Sequence, residues 1–220
     1  MLSSELINHN IPRLQLQDFI IKAKQLMVDY KTTHLPVTSE NKFIGLISEE
    51  DLLDFDDEKL TIQVAETFFL KQFIFEDVHF LNAINFCNLH SSNIIPVLNH
   101  QQDFIGVITT EDLLKMTGIF TGSNEIGGII VLELDRIQFS ISEISRIVES
   151  NDATIYHLNT FNDPKSEKML VTLHINNREI SSIVATFIRY EYHVKYHFGV
   201  EHFEEKTEAN YKNLMNYLGI

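Results

Sequence analysis

The sequence is poor in cysteine, in long apolar runs and in basic residues, and each shortage excludes a class of protein. Cys87 is the only cysteine among 220 residues, so no intramolecular disulfide can form and a reducing cytoplasm is the expected compartment. No stretch approaches the roughly 18 apolar residues of a membrane-spanning helix. Residues 1–5 lack the basic start and apolar centre of a signal peptide. We therefore expect a cytoplasmic protein without a membrane segment.

Basic residues are few, because 17 lysines and arginines accompany 31 aspartates and glutamates, for a formal net charge of −14. The excess is spread along the chain: residues 1–122 carry 8 basic and 17 acidic residues, and residues 123–220 carry 9 and 14. Neither part offers the basic patch that a nucleic-acid backbone or an anionic membrane requires. We expect neither as a partner.

Motifs of common enzymes are also absent. The chain has no Gly-x-Ser-x-Gly elbow, glycine-rich phosphate loop, dinucleotide fingerprint or His-Glu-x-x-His zinc motif. The densest histidines are His193, His197 and His202. In a strand over 192–198 the first two would lie about 13 Å apart on one face, too far for one ion to bridge. We predict no enzyme activity, no metal site and no required cofactor.

What the chain does contain is an internal repeat. Residues 43–53 read Phe-Ile-Gly-Leu-Ile-Ser-Glu-Glu-Asp-Leu-Leu and residues 104–114 read Phe-Ile-Gly-Val-Ile-Thr-Thr-Glu-Asp-Leu-Leu, so 8 of 11 positions are identical at a spacing of 61. Upstream, His-Leu-Pro-Val at 34–37 matches Ile-Ile-Pro-Val at 94–97 at a spacing of 60. The one-residue difference falls in polar stretches, 39–42 and 99–103, which are predicted to be hairpin loops.

Both repeats predict the same order of a helix, two short strands and a second helix. The first helix of repeat one has apolar residues at helical spacing: Phe19, Ala23, Leu26 and Tyr30, with Ile20 and Met27 beside them. Repeat two places Phe80, Ala83, Ile84 and Cys87 comparably. The predicted strands cover 35–38 with 43–47, and 94–98 with 104–108, and the second helices begin at Ser48 and Thr109. Two such small units should pack on each other about a pseudo-twofold axis.

These residues resemble the CBS-domain family, whose pattern is an apolar-Pro-Val strand, a strand ending in Gly-apolar-apolar-Ser/Thr, and an aspartate in the next helix. The resemblance implies an α+β fold in which two β-α-β-β-α repeats form a pair. We place the pair at residues 1–120, with repeat one at about 8–58 and repeat two at about 59–118. It also implies a non-enzymatic sensor that binds AMP, ADP, ATP or S-adenosylmethionine in clefts between the repeats.

The chemistry of the repeated Ser/Thr-x-x-Asp motif fits that role. Ser48 and Thr109 lie at strand-to-helix junctions, where free amides and the helix dipole can receive a phosphate. Asp51 and Asp112 lie one turn later, and a carboxylate can accept hydrogen bonds from both ribose hydroxyls. The same spacing also matches a helix capping box, which needs no ligand. The ligand-binding candidates are Thr33, His34, Ile47, Ser48, Asp51, Asn93, Ile94, Ile108, Thr109 and Asp112, with Ile47 and Ile108 as walls for adenine.

A third segment begins after Gly118, Gly122 and Ser123 interrupt the periodic pattern. Residues 125–200 show the order strand, helix, strand, strand, helix, strand, which predicts a ferredoxin-like βαββαβ domain. Its predicted core positions are Ile141, Ile144, Ile147 and Val148 in the first helix, Met169, Val171, Leu173 and Ile175 in the third strand, Ile180, Ile183, Val184 and Phe187 in the second helix, and Val194, Tyr196 and Phe198 in the last strand. Residues 203–220 predict an amphipathic helix with Tyr211, Leu214, Met215 and Leu218 on one stripe.

In this context the third segment resembles an ACT domain, a regulatory module that often binds amino acids and pairs side by side. The whole chain then resembles bacterial acetoin-utilisation-type CBS proteins, and a homodimer is expected. Residues 135–140, after the first strand, lack the glycine turn usual in the ACT ligand loop. Three functions stay open: an adenosine-type sensor, a dimerising scaffold with empty clefts, and an amino-acid sensor through the ACT-like domain.

Overall fold

The computed structural model describes residues 1–200, and the stripe predicted at 203–220 lies outside them. The chain divides into two compact units, Met1–Thr117 and the part from Gly118 onward. The first unit holds both repeats. Repeat one contains these elements: a 3-10 helix Ser3–Leu6, β1 Leu14–Gln15, α1 Ile20–Tyr30, β2 His34–Ser39, β3 Lys42–Ser48 and α2 Glu49–Leu53. Repeat two follows the same order: a 3-10 helix Ile62–Phe68, β4 Ile74–Phe75, α3 Leu81–His90, β5 Ile94–Leu98, β6 Phe104–Thr109 and α4 Thr110–Thr121.

The two repeats share one sheet topology. In repeat one β1 runs parallel to β2, and β2 runs antiparallel to β3; β4, β5 and β6 repeat this pattern. The hairpin turns fall within 39–42 and 98–104, as the polar stretches predicted. In the first turn Glu40 adopts a left-handed φ of 53°, and in the second Gln102 adopts 62°. The βαββα repeat inferred from the sequence is confirmed.

The first helix of repeat one buries part of the predicted apolar set. Ile20, Ala23 and Met27 are buried, at spacings of three and four residues. Phe19 is 52% exposed and Tyr30 is 43% exposed, so these two aromatic residues do not belong to the core.

Each repeat begins with a segment that lies on the hairpin of the other repeat. Leu70 exchanges two backbone hydrogen bonds with Leu46, of 2.8 and 2.9 Å. Asn8 makes the equivalent pair with Val107, of 2.7 and 3.5 Å. Leu46 and Val107 are equivalent positions of the two repeats, so these reciprocal contacts express the pseudo-twofold relation.

The repeated glycine of the motif permits this close approach. A Cβ atom placed on Gly45 would lie 2.6 Å from the Cβ of Phe69. A Cβ on Gly106 would overlap Ile7, and Gly106 also has a φ of +153°, which side chains rarely adopt. Because each glycine precedes the residue that bonds the crossing segment, any larger side chain would push that segment away.

The second unit is a ferredoxin-like domain with two helices on one face of a four-stranded sheet. Its elements are β7 Gly128–Leu134, α5 Ile141–Glu149, β8 Ile155–Asn162, β9 Met169–Ile175, α6 Ser181–Arg189 and β10 His193–Phe198, with a 3-10 turn Arg136–Gln138 after β7. The antiparallel strand order is β10-β7-β9-β8. Ser140 caps α5, since its Oγ accepts a hydrogen bond from the backbone N–H of Glu143 at 3.4 Å. The predicted fold class, a CBS-type pair followed by a βαββαβ domain, is confirmed.

Two core assignments in this domain are corrected. Ile141 is 58% exposed, and the helix face is formed by Ile144, Ile147 and Val148 instead. In β10 an irregularity between Val194 and Tyr196 shifts the register by one residue. Val194 therefore pairs opposite the buried Leu132 and packs on the core, while Tyr196 and Phe198 turn to the outer face.

The same bulge changes the geometry of the histidines. His193 pairs opposite Glu133 on the outer face, and His197 pairs opposite the buried Ile130 on the inner face. The prediction that both lie on one face was wrong, because a regular period of two does not continue through a bulge. His202 lies outside the described residues.

We expect Gly45→Ala to lower the free energy of unfolding by about 1–3 kcal/mol, because the added Cβ forces the Phe69 segment off the hairpin. Urea denaturation of the full chain measures the effect. The control is Gly118→Ala, where the added Cβ meets only the Ser123 Oγ at 3.1 Å. Equal losses in both variants would contradict the close-approach role of Gly45.

Candidate functional site

Two clefts open between the repeats, one beside each Ser/Thr-x-x-Asp motif. Each cleft is formed by the motif and strand start of one repeat, the end of the first helix of the other repeat, and the segment that crosses the hairpin. The first, cleft 1, has a volume of about 530 Å³ and is lined by Thr33, His34, Leu46, Ser48, Glu49, Glu50, Asp51, Leu53, Phe68, Leu70, His90 and Ser91. The second, cleft 2, has a volume of about 280 Å³ and is lined by Asn8, Ile11, Tyr30, Lys31, Thr32, Asn93, Ile94, Thr109, Thr110, Glu111, Asp112 and Lys115.

Size separates the two clefts. Pockets that bind drug-sized molecules generally measure about 300–1,000 Å³. Cleft 1 lies well inside this range, and cleft 2 lies at its lower limit. Part of the difference comes from Asn8, whose side-chain amide reaches into cleft 2 and donates a hydrogen bond of 3.2 Å to Asp112 Oδ2.

Both motif aspartates bond the Ser or Thr that precedes their helix and also line their clefts. Ser48 Oγ donates to Asp51 Oδ2 at 2.6 Å and accepts from the Asp51 N–H at 3.0 Å. Thr109 and Asp112 repeat this pair at 2.6 and 3.1 Å. The capping-box alternative is therefore present in the structure. It uses only one carboxylate oxygen, and within the described part of the chain Oδ1 of each aspartate accepts no hydrogen bond.

The two strand-start residues Thr33 and Asn93 hold the repeats together. Asn93 Oδ1 accepts hydrogen bonds from the backbone N–H and the hydroxyl of Thr33, both at 2.9 Å. Asn93 Nδ2 donates to the Lys31 carbonyl at 3.0 Å. Thr33 lines cleft 1 and Asn93 lines cleft 2, so this pair forms the partition between the two clefts. Its polar groups are largely satisfied without a ligand.

The adenine-wall prediction for Ile47 and Ile108 is not supported by their positions. Both side chains are fully buried in the core of their own repeat, and neither lines a cleft. Because side chains alternate along a strand, the neighbouring Leu46 points the other way, joins the core of repeat two and lines cleft 1. The motif identified the right strand, but the face was assigned one residue off. Ile94 does line cleft 2.

Several cleft residues were missed because they come from the opposite repeat. Phe68, Leu70 and His90 line cleft 1 although they lie far from its motif in the sequence. Phe68 is 47% exposed, and its ring meets Phe55 edge-on at 6.1 Å. Only the pairing of the repeats could reveal these residues. In the sequence, residues 68–70 form only a short apolar run, without the spacing of a helix or a strand.

Cleft 1 is acidic. Its lining includes the carboxylates Glu49, Glu50 and Asp51 and contains no lysine or arginine. Burial lowers the pKa of His34 below its ordinary 6.5, and the nearby His90 lowers it further, although Asp51 acts in the opposite direction. His34 Nδ1 lies 2.8 Å from the Thr33 hydroxyl. At neutral pH the imidazole of His34 is therefore uncharged and does not offset the carboxylates.

Thr32, a lining residue of cleft 2, has a buried hydroxyl without a hydrogen-bond partner. Thr32 is 5% exposed, and its Oγ1 is the only buried side-chain polar atom in residues 1–200 without a hydrogen-bond partner. Buried polar groups are nearly always paired, so an orphan of this kind needs an explanation. Ser92 occupies the equivalent position of repeat two, and its hydroxyl donates to the Ile94 carbonyl at 2.7 Å.

Residues 1–200 were also compared with the requirements of a metal site, a membrane-spanning helix and a ligand loop after β7. Residues 1–200 contain no group of three or more histidine, cysteine, aspartate or glutamate side chains placed to hold a metal ion. No helix in that range has the length and apolar character needed to cross a membrane. The loop after β7 is held by a hydrogen bond between its own residues, in which the Asp135 N–H donates to Gln138 Oε1 at 3.0 Å.

We expect the stability of the protein to fall as the pH drops below about 6.5, in part because of His34. Its pKa is lower in the folded chain than in the unfolded chain, so the unfolded chain binds more protons between the two values and acid favours unfolding. Urea midpoints between pH 7.5 and 5.5 measure this. The pH dependence should be shallower in His34→Gln and unchanged in the exposed control His9→Gln. An identical slope in wild type and His34→Gln would contradict the assignment.

The family described as "CBS domain" matches residues 3–58. A homoserine O-acetyltransferase from Methanosarcina acetivorans is 26% identical over 126 residues, which cover 54% of this chain and 22% of that protein. This chain therefore spans about a fifth of the length of that relative.

Two solved structures are similar to about half of the chain. A CBS domain pair/ACT domain protein from Thermotoga maritima has 19% identity and a TM-score of 0.48, with 53% of this chain and 96% of that chain covered. A CBS domain pair in complex with 5′-methylthioadenosine and S-adenosyl-L-methionine has 20% identity and a TM-score of 0.46, with 54% and 96% covered. Repeat one matches the family directly, and repeat two has the same motif, topology and cap. Repeat one is therefore similar to CBS domains, repeat two shares its motif and element order, and the C-terminal unit has a ferredoxin-like element order.

Proposed function

We propose that the protein is a non-enzymatic cytoplasmic regulator that binds an adenosine-type ligand, of the AMP, ADP, ATP or S-adenosylmethionine class, in the clefts of the CBS pair. The observation that carries this proposal is the free Oδ1 of Asp51 at the edge of a cavity of about 530 Å³. Its Oδ2 is fixed by the cap, so the carboxylate is already oriented before any ligand arrives. A pre-oriented acceptor of this kind suits a ribose hydroxyl.

The rest of cleft 1 supplies what a purine needs. Leu46, Leu53, Phe68 and Leu70 give the cavity an apolar lining. Flat aromatic ligands bind between such side chains, and a few polar groups then fix their orientation. Phe68 is half exposed without a ligand, so a base stacked on its ring would remove apolar surface from water.

A ligand in cleft 1 would contact both repeats. The motif side belongs to repeat one, whereas Phe68, Leu70, His90 and Ser91 belong to repeat two or the segment leading into it. Binding would therefore favour the arrangement of repeats that closes on the ligand. A ligand changes an equilibrium only through different affinity for its two states, and contact with both sides provides such a difference.

We expect Asp51→Asn to weaken adenosine binding by about tenfold or more, because it replaces a charged acceptor at the ribose with an amide. Isothermal titration calorimetry on the full chain measures the affinity. Asp112→Asn is the matched control, since it alters the same cap in the other repeat and leaves cleft 1 intact. Its adenosine affinity should stay within about twofold of wild type.

Two results would count against the proposal. The proposal fails if folded wild-type protein binds none of adenosine, AMP, ATP and S-adenosylmethionine. Equal loss in Asp51→Asn and Asp112→Asn would assign the effect to general destabilisation of the caps. Binding of amino acids alone would instead favour a sensor in the ferredoxin-like domain.

The scaffold function is a second candidate, favoured by the outer face of the ferredoxin-like sheet. This face presents apolar side chains that no described element of the unit covers: Ile129, Phe161, Tyr196 and Phe198, which are 38%, 55%, 54% and 61% exposed. Apolar patches on a monomer often mark an interaction surface. A homodimer would bury them, and sedimentation velocity with and without adenosine would show whether association depends on the ligand.

A further inference from the structure

A third cavity lies in the first unit, beside the start of β6. Its volume is about 280 Å³, and its lining comes from residues 8–13 and 104–106. We call it the lead-in pocket. It adjoins cleft 2 at Asn8 and Ile11 but contains no residue of the Ser/Thr-x-x-Asp motif. Asn8 pairs antiparallel with Val107, so the residues after Asn8 run beside the residues before Val107, away from that motif.

The lead-in pocket lies where the two repeats differ in length. In repeat one Leu14, the first residue of β1, comes six positions after the pairing residue Asn8. In repeat two Ile74, the first residue of β4, comes four positions after the pairing residue Leu70. Repeat one therefore has two additional residues between equivalent points of the fold, and the cavity lies between this longer segment and β6.

The residue that precedes the parallel strand also differs between the repeats. In repeat two it is Phe73, whose ring packs edge-on against Phe43 at 6.3 Å. In repeat one it is Arg13. Phe104, the counterpart of Phe43, stacks on Phe43 at 6.2 Å and lines the lead-in pocket together with Arg13. A charged side chain therefore stands where repeat two has an aromatic ring.

The lead-in pocket is basic although the chain has a net charge of −14. Its lining contains Arg13 and His9 and no aspartate or glutamate. Within residues 1–200 neither of these side chains forms a hydrogen bond or an ion pair. Asp103, which precedes Phe104 in the chain, pairs with Lys42 at 2.7 Å instead. A guanidinium group without a protein partner can donate two parallel hydrogen bonds to a carboxylate.

The rest of the lead-in pocket is apolar and held in place. Asn8 uses both polar groups of its side chain, since Oδ1 accepts from the Asn10 N–H at 2.9 Å and Nδ2 donates to Asp112. Pro12 restricts the backbone φ of the segment. The apolar lining residues are Ile11, Pro12, Phe104 and Ile105. A ligand can bury an apolar group against them while its carboxylate meets Arg13.

We propose that the lead-in pocket binds a small monocarboxylate that carries an aromatic or branched apolar group. The carboxylate pairs with Arg13, and the apolar group packs on Phe104. A single negative charge matches the one guanidinium group, whereas the acidic chain repels more highly charged anions. The inference is independent of adenosine binding, because the pocket contains no motif residue.

Benzoate, benzyl alcohol and acetate test the inference. Benzoate carries both a ring and a negative charge, whereas each of the other two carries only one of these features. Amide chemical shifts of the full chain, measured by NMR at pH 7.5, follow each titration. We expect benzoate to bind with a millimolar Kd and to shift amides within 8–13 and 104–106. Benzyl alcohol and acetate should bind about fivefold more weakly or less.

Two variants of Arg13 make the test specific. Arg13→Gln should weaken benzoate about fivefold and leave benzyl alcohol within about twofold of wild type, because only the charged pair is lost. Arg13→Phe introduces the residue type of repeat two and should prevent benzoate binding by filling the pocket. Arg136→Gln is the matched control, since it removes the same charge from a residue outside the lining. Its benzoate affinity should stay within about twofold of wild type.

Stability separates binding from structure, because Arg13 has no partner within residues 1–200 and Arg13→Gln should keep the urea midpoint of wild type. The inference is overturned if wild type shows no saturable shift with benzoate, or if benzyl alcohol binds as tightly as benzoate. It is also overturned if Arg13→Gln binds benzoate like wild type. These titrations contain no adenosine compound, so a negative result leaves the proposed function unaffected.

Discussion

Both clefts depend on one close backbone contact, made twice. Where Gly45 and Gly106 lack a side chain, the lead-in segment of the opposite repeat lies directly on the hairpin and exchanges hydrogen bonds with Leu46 or Val107. This contact places Leu70 and Asn8 opposite the motif aspartates. Without it the repeats would still fold into sheets and helices, but the walls of the clefts would not meet.

The motif aspartates illustrate how a structural role can prepare a binding role. Capping and ligand binding are usually weighed as alternatives for a Ser/Thr-x-x-Asp sequence. Here the cap occupies Oδ2 and holds the carboxylate in place, and Oδ1 accepts no hydrogen bond within residues 1–200. A ligand that bonds Oδ1 would therefore cost little further side-chain entropy.

The two clefts share their motif residues and differ in their other lining residues. The shared residues stand at positions that match between the repeats, namely the glycine, the Ser/Thr and the aspartate. Other lining residues stand at positions that do not match: Lys31 against Ser91, Tyr30 against His90, and Asn8 against Leu70. Size and charge differ for this reason, since neither property is encoded in the shared motif.

The sequence by itself determined the repeat, the hairpins, the capped aspartates and the βαββαβ order, because all of these follow from local spacing and from turn and capping residues. Tertiary structure decided which strand face lines a cleft, where Leu46 replaces the expected Ile47. It also decided that Thr33 and Asn93 pair with each other, and that a bulge turns Tyr196 and Phe198 outward. These features depend on contacts between residues far apart in the chain and on a one-residue change of strand register, neither of which leaves a local pattern.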